Sequence, residues 1–229
     1  MKKQDVYGLL EAKMLSYTDY ANVRVRGVDE PFVAIEPSRN LMVRQLDTAM
    51  LAYTGEKVFV RQGVLNRLQK AAVILSLEDK AMQLEVVYGY RALAIQKRLF
   101  AKYKKKLRNQ YSGDALLAAV HRLVAVPEVA GHPAGAAVDI QILRGGQPLD
   151  FGTEAHEFVP DSFTFSPFVS AEAWQNRQLL RRVMTGVGFA PFDGEWWHFS
   201  YGDKEWARYY GRPAALYRQV DWRLRAVVG

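Results

Sequence analysis

Residues 131–144 read Gly131-His132-Pro133-Ala134-Gly135-Ala136-Ala137-Val138-Asp139-Ile140-Gln141-Ile142-Leu143-Arg144, a Gly/Pro loop running straight into an apolar segment. The second half predicts a strand. An aspartate at the centre of that strand is costly unless something positive binds it. Small residues at 134–137 let other parts of the chain approach closely. His132 on the loop and Asp139 in the strand are therefore the first candidate pair for a metal.

The neighbouring segments predict the rest of the architecture. Residues 63–78 place Val64, Leu65, Leu68, Ala71, Ala72 and Leu75 on one helical stripe. The period then changes to two, with Met82, Leu84, Val86 and Tyr88 on one strand face and Arg91 at the exit. A helix is expected from Ala92 to about Leu107, and another from Asp114 to Val124. After the turn at 145–148 comes a polar and aromatic loop over 150–170. Ser170 caps a helix over 171–185, which ends at Gly186 and Gly188. A short helix is expected over 203–210. The first 60 residues are less regular, with a strand signal at 22–26 and a short helix expected from Arg44 to Ala52. Strands and helices segregate, which predicts a single α+β domain with a mostly antiparallel central sheet flanked by helices.

The chain has 229 residues, long enough for a substantial core, and no cysteine, which excludes disulfides, thiolate metal sites and a cysteine nucleophile. No run of about 18 apolar residues is present to span a bilayer. No apolar segment follows Met1-Lys2-Lys3, so no signal peptide is expected; the cytoplasm is the default compartment and the periplasm the alternative. The formal charge is +7. Much of the excess lies between Lys97 and Arg108, read as a solvated helix face; no nucleic-acid motif accompanies it and no nucleic-acid partner is expected.

The second half of the site comes from Phe192-Asp193-Gly194-Glu195-Trp196-Trp197-His198-Phe199-Ser200. Zinc with nitrogen and oxygen ligands needs His and Asp or Glu converging from rigid elements, with one position left for water. His132, Asp139 and His198 form such a set. Glu195 is then the candidate general base. On a regular strand Glu195 and His198 would face opposite sides, so a bend permitted by Gly194 is expected between them. Trp196 and Trp197 are read as core and site wall. Of the remaining histidines, His121 reads as structural, and His156 in the polar loop is open.

The paired patterns His132…Asp139 and Glu195-Trp196-Trp197-His198 resemble the VanX-type zinc D-alanyl-D-alanine dipeptidases, grouped with VanY-type carboxypeptidases and the hedgehog signalling domain. The segment 86–100, VVYGYRALAIQKRLF, is similar to the family's strand ending in Tyr-Arg, which implies that Arg91 stabilises the transition state. The resemblance runs from about Val58 to Tyr201, with about residues 1–57 a divergent N-terminal part of the same domain. It implies one zinc per chain, a small peptide substrate and hydrolysis of D,D-dipeptides, D-Ala-D-Ala first. A D,D- or L,D-carboxypeptidase acting on peptidoglycan stems is the alternative, and a non-catalytic zinc-containing binding module a more distant one. Three positions depart from the family pattern: Gly131 replaces a serine, Ala92 a proline, and His156 the aspartate that holds the substrate ammonium. Glu154 or Glu157 is expected to take over that last role, with loss of the preference for a free N-terminus as the alternative; Trp197 is expected on the substrate wall.

Overall fold

The computed structural model describes residues 2–224. In chain order the elements are α1 (Lys3–Glu11), α2 (Tyr17–Tyr20), β1 (Arg24–Val25), β2 (Phe32–Ala34), β3 (Leu41–Val43), α3 (Leu51–Thr54) and β4 (Phe59–Arg61). Then follow α4 (Gln62–Glu78), β5 (Met82–Tyr88), α5 (Leu93–Leu107), α6 (Gly113–His121), β6 (Ala137–Arg144) and β7 (Gln147–Pro148). The last are α7 (Ala171–Gly186), β8 (Ala190–Pro191), β9 (His198–Ser200), α8 (Lys204–Tyr209) and β10 (Ala214–Ala215).

The main sheet runs β3-β5-β6-β9-β8, with β7 also paired to β6. Only β3 and β5 are parallel within it; the other pairs are antiparallel, as the sequence predicts. The stripe on α4 buries Val64, Leu68, Ala71, Ala72 and Leu75 against Leu84, Val86, Val138, Ile140 and Ile142 of the sheet. Leu180, Val183 and Met184 of α7 complete that core. Truncating a side chain such as Leu68 to alanine is expected to cost about 2–5 kcal/mol.

The N-terminal third is more regular than its sequence suggests. The helix expected over 44–52 is instead an irregular stretch after β3, a turn at Thr48–Met50 and the start of the short α3. Asp47 forces the change by accepting the Ala49 N–H at 2.8 Å, which caps the turn. The strand signal at 22–26 survives as β1, paired in parallel with β10. Helix α6 stops at His121, three residues short of the expected end, because His121 Nδ1 accepts the Val126 N–H at 3.1 Å and turns the chain. The lysines of α5 are exposed on its outer face. Among the described residues, no helix is long and apolar enough to cross a membrane.

One irregularity matters for the site. Val86 pairs with Ile140, but the next pair is Tyr88 with Asp139, so two residues of β5 oppose one of β6. Such a bulge re-aims the side chains beyond it. Met82, Leu84 and Val86 remain in the main core, whereas Tyr88 packs with Phe59, Tyr90 and Ile95 and turns its ring to the face that carries Asp139. Tyr88 therefore does not share the face that simple alternation assigns to it.

Candidate metal centre and substrate cavity

Asp139 is paired in register with Tyr88 on one side and with His198 on the other. Three adjacent strands thus present a tyrosine, an aspartate and a histidine in one row. His132 enters from the loop before β6. Its Nδ1 lies 2.8 Å from the Gly89 carbonyl, which fixes the proton there and leaves Nε2 as the lone-pair atom facing Asp139. Gly135 just beyond adopts φ 69° and sits under the Phe32 ring, where a side chain has no room.

The ligand atoms of His132, Asp139 and His198 all lie within 4.8 Å of one another, so these three residues could hold a metal ion. His198 Nδ1 is 2.9 Å from Asp139 Oδ1, and His132 Nε2 is 3.4 Å from Oδ2. Burial opposes ionisation of Asp139, but the surrounding imidazoles of His132, His156 and His198 hold its carboxyl well below the usual range. Burial also pushes His132 down to about 4, so its ring is neutral at physiological pH. A neutral imidazole and an ionised carboxylate are the forms that bind a divalent cation; burial opposes the charged form of His198, but Asp139 lifts it to about 9, so a cation would displace its proton.

Glu195 precedes β9 within a turn: its N–H donates to the Phe192 carbonyl at 3.0 Å, and its own carbonyl accepts from His198 N–H at 3.1 Å. The bend expected between Glu195 and His198 is therefore present. Gly194 serves it by close approach, since a Cβ there would lie 2.8 Å from the Phe192 ring. Glu195 and His198 both line one cavity with Arg91, His132, Asp139 and His156. Burial, reinforced by the charge of Asp139 and partly offset by His198, pushes Glu195 up to about 7.

Arg91 leaves the end of β5 with its backbone N–H on the His132 carbonyl at 3.2 Å. Its Nε donates to Tyr88 Oη at 3.0 Å and its Nη1 to Gln96 Oε1 at 2.8 Å. Tyr88 in turn donates to Asp47 Oδ2 at 2.7 Å. The guanidinium is thus anchored on one edge.

The loop after β7 behaves differently from its expectation. His156 does reach the cavity, in a left-handed conformation with φ 67°, but its Nε2 sits 2.8 Å from Asp139 Oδ2. Glu154 and Glu157 are exposed and do not line the cavity; the Glu157 carboxylate accepts the Glu154 N–H at 3.1 Å. Neither glutamate is placed to receive a substrate ammonium, because the αL turn at His156 directs the ring inward and the flanking acids outward. Trp197 is fully buried behind His156, ring centroids 5.8 Å apart, and is core instead of cavity wall. The loop is held by Arg177, fully buried on α7, whose guanidinium donates to the carbonyls of Phe151, Asp161 and Phe163. Trp196 stacks on Phe151 at 4.0 Å and donates to Thr153 Oγ1 at 2.9 Å.

Tyr20 and Glu205 line the cavity without having been named from the sequence, and His121, read there as structural, joins them. They come from α2, α6 and α8, far apart in the chain. The only available signal was a histidine and a glutamate on otherwise apolar helix faces. His121, pushed down to about 4 by burial, accepts from Val126 at Nδ1 and must donate its Nε2 proton to Tyr20 Oη. The Tyr20 hydroxyl proton is then left to other partners. The cavity itself measures about 80 Å³, with Leu123, Val124, Phe158 and Phe192 among its apolar walls.

Known proteins resemble this chain. The Peptidase_M15 family model, described as D-ala-D-ala dipeptidase, matches residues 42–215. A D-alanyl-D-alanine dipeptidase of Synechocystis sp. (strain ATCC 27184 / PCC 6803 / Kazusa) is 30% identical over 223 residues, covering 84% of this chain and 90% of the relative. A D-alanyl-D-alanine dipeptidase of Escherichia coli (strain K12) is 28% identical over 153 residues, covering 66% of this chain and 71% of its own length. Among solved structures, VanYB in complex with D-alanine-D-alanine is 17% identical, covers 78% of this chain and 88% of that one, and superposes with a TM-score of 0.41. With the family match spanning most of its length, this chain belongs to the D-Ala-D-Ala dipeptidase family of peptidases.

Proposed function

We propose that this chain is a zinc-dependent peptidase that hydrolyses D,D-dipeptides, D-Ala-D-Ala first. One observation carries the reading: the ligand atoms of His132, Asp139 and His198 converge within 4.8 Å on a cavity that Glu195 and Arg91 also line. Two imidazoles and a carboxylate suit zinc and leave its hydrolytic position open. When bound, zinc supplies Lewis acidity at the scissile carbonyl and makes a water acidic enough to attack near neutral pH.

The remaining work falls to the chain. Glu195 takes a proton from the attacking water and delivers it to the amine as the C–N bond breaks. A buried carboxylate in this position can both take that proton and return it. Arg91, anchored by Tyr88 and Gln96, directs its guanidinium charge at the carbonyl oxygen as that oxygen becomes negative. Leu123, Val124, Phe158 and Phe192 limit water around the reacting bond. The activity named for the Synechocystis and Escherichia coli relatives supports a free dipeptide.

Amine release from D-Ala-D-Ala by metal-replete protein tests the reading. Turnover that is abolished by a chelator and restored by zinc is expected. Faster cleavage of N-acetyl-D-Ala-D-Ala than of the free dipeptide would overturn it in favour of a carboxypeptidase.

A further inference from the structure

A free dipeptide carries an ammonium group, and the loop over 152–158 offers it no vacant acceptor. His156 Nε2 is engaged with Asp139, while Glu154 and Glu157 lie outside the cavity. One acid on the cavity wall has no other task. Glu205, on the first turn of α8, is 7% exposed, and its Oε1 finds no hydrogen-bond partner among the described residues. An unpaired buried carboxylate oxygen is expensive and calls for an explanation.

A helix-capping role does not supply one. Asp203 already caps α8, accepting the Trp206 N–H at 2.8 Å and the Ser200 hydroxyl at 2.8 Å. Nor does a neighbouring cation: Lys204 turns away to donate to the Ala21 carbonyl at 2.6 Å. The surroundings are acidic instead. Burial raises the Glu205 carboxyl, His198 opposes that, and Asp203, Glu195 and Asp193 reinforce it. This end of the cavity favours a positive group, and Tyr20 adds a hydroxyl oxygen to the same wall.

We propose that Glu205 is the acceptor for the primary ammonium of the substrate, so that selectivity for an unblocked N-terminus resides on α8 and not on the 152–158 loop. Resting on the dipeptidase reading above, the assignment makes Glu205 a specificity residue that binds the cation and takes no part in the proton transfers of Glu195.

The test compares metal-replete wild type with Glu205→Gln and Glu205→Asp on D-Ala-D-Ala, with N-acetyl-D-Ala-D-Ala as substrate or competitor. Loss of a charge-assisted hydrogen bond predicts a KM for the free dipeptide raised roughly 10- to 100-fold in Glu205→Gln, with kcat changed by less than about threefold. Glu205→Asp should recover part of that loss, and the acetylated form should be affected at most about twofold. Equal losses for both ligands, or weakened zinc binding with an unchanged KM, overturn the proposal; the latter makes Glu205 a support for His198. Should wild type cleave neither peptide, the dipeptidase reading fails separately. Calorimetry with D-alaninamide and N-acetyl-D-alaninamide then decides the inference. Preference for the free amine, abolished in Glu205→Gln, sustains it; equal affinity for the two ligands ends it.

Discussion

Asp139 and His198 occupy paired positions on β6 and β9, with His198 Nδ1 2.9 Å from Asp139 Oδ1. The candidate metal centre is thus written into strand register. A slip of one residue would turn Asp139 into the core and leave His132 and His198 without their carboxylate.

Metal content follows directly from that arrangement. Elemental analysis of zinc-replete protein should give about one equivalent per chain, as a three-residue hydrolytic site requires. His198→Ala should lose most of it. Unchanged zinc in that variant would remove this site from consideration.

Base and ligand are separable by substitution. Glu195→Ala should retain zinc and lose roughly 10²–10⁴ in kcat, the range of general acid–base catalysis. Arg91→Ala should also retain zinc and lose about 10²–10³, as for an oxyanion donor. Steady-state kinetics with metal analysis of the same samples checks both.

The exposed acids of the 152–158 loop supply a contrast. Glu154→Gln and Glu157→Gln should leave the KM for D-Ala-D-Ala within about twofold of wild type, because surface substitutions away from a site have little effect. A large KM increase in either variant would restore the role that the sequence suggested for these residues.

Arg177 is expected to be a stability determinant. Arg177→Met leaves the carbonyls of Phe151, Asp161 and Phe163 without their buried donor. A loss of about 2–4 kcal/mol in urea unfolding is expected. The loop that carries His156 should also become more open to proteolysis.

His121 should make stability depend on pH. Its folded value of about 4 lies below the value of about 6.5 expected when unfolded. The unfolded chain therefore binds more protons between those limits. Stability is complete above about 6.5 and declines as pH falls toward about 4, by up to roughly 3 kcal/mol. His121→Asn keeps an acceptor for the Val126 N–H without a titrating ring. Urea midpoints at pH 8 and pH 5 should differ less in that variant than in wild type.

Much of this protein was determined locally, and so was legible in the sequence. The stripe on α4, the strand around Asp139 and the turn between Glu195 and His198 follow from near-neighbour periodicity and from the cost of burying a carboxylate in an apolar strand. The side chains that converge as candidate ligands were recognisable from residue type, spacing and the resemblance of their two patterns to a known family. Tertiary structure decided the rest. The bulge before Tyr88 is a mismatch between two strands, which neither strand records by itself. His156 turns inward while Glu154 and Glu157 turn outward because of one left-handed residue in a loop tied down by Arg177 from a distant helix. Tyr20, His121 and Glu205 meet the candidate centre only after α2, α6 and α8 have packed around it. A side chain's environment is set by partners remote in sequence, and burial and charge acquire chemical meaning only once those partners are in place.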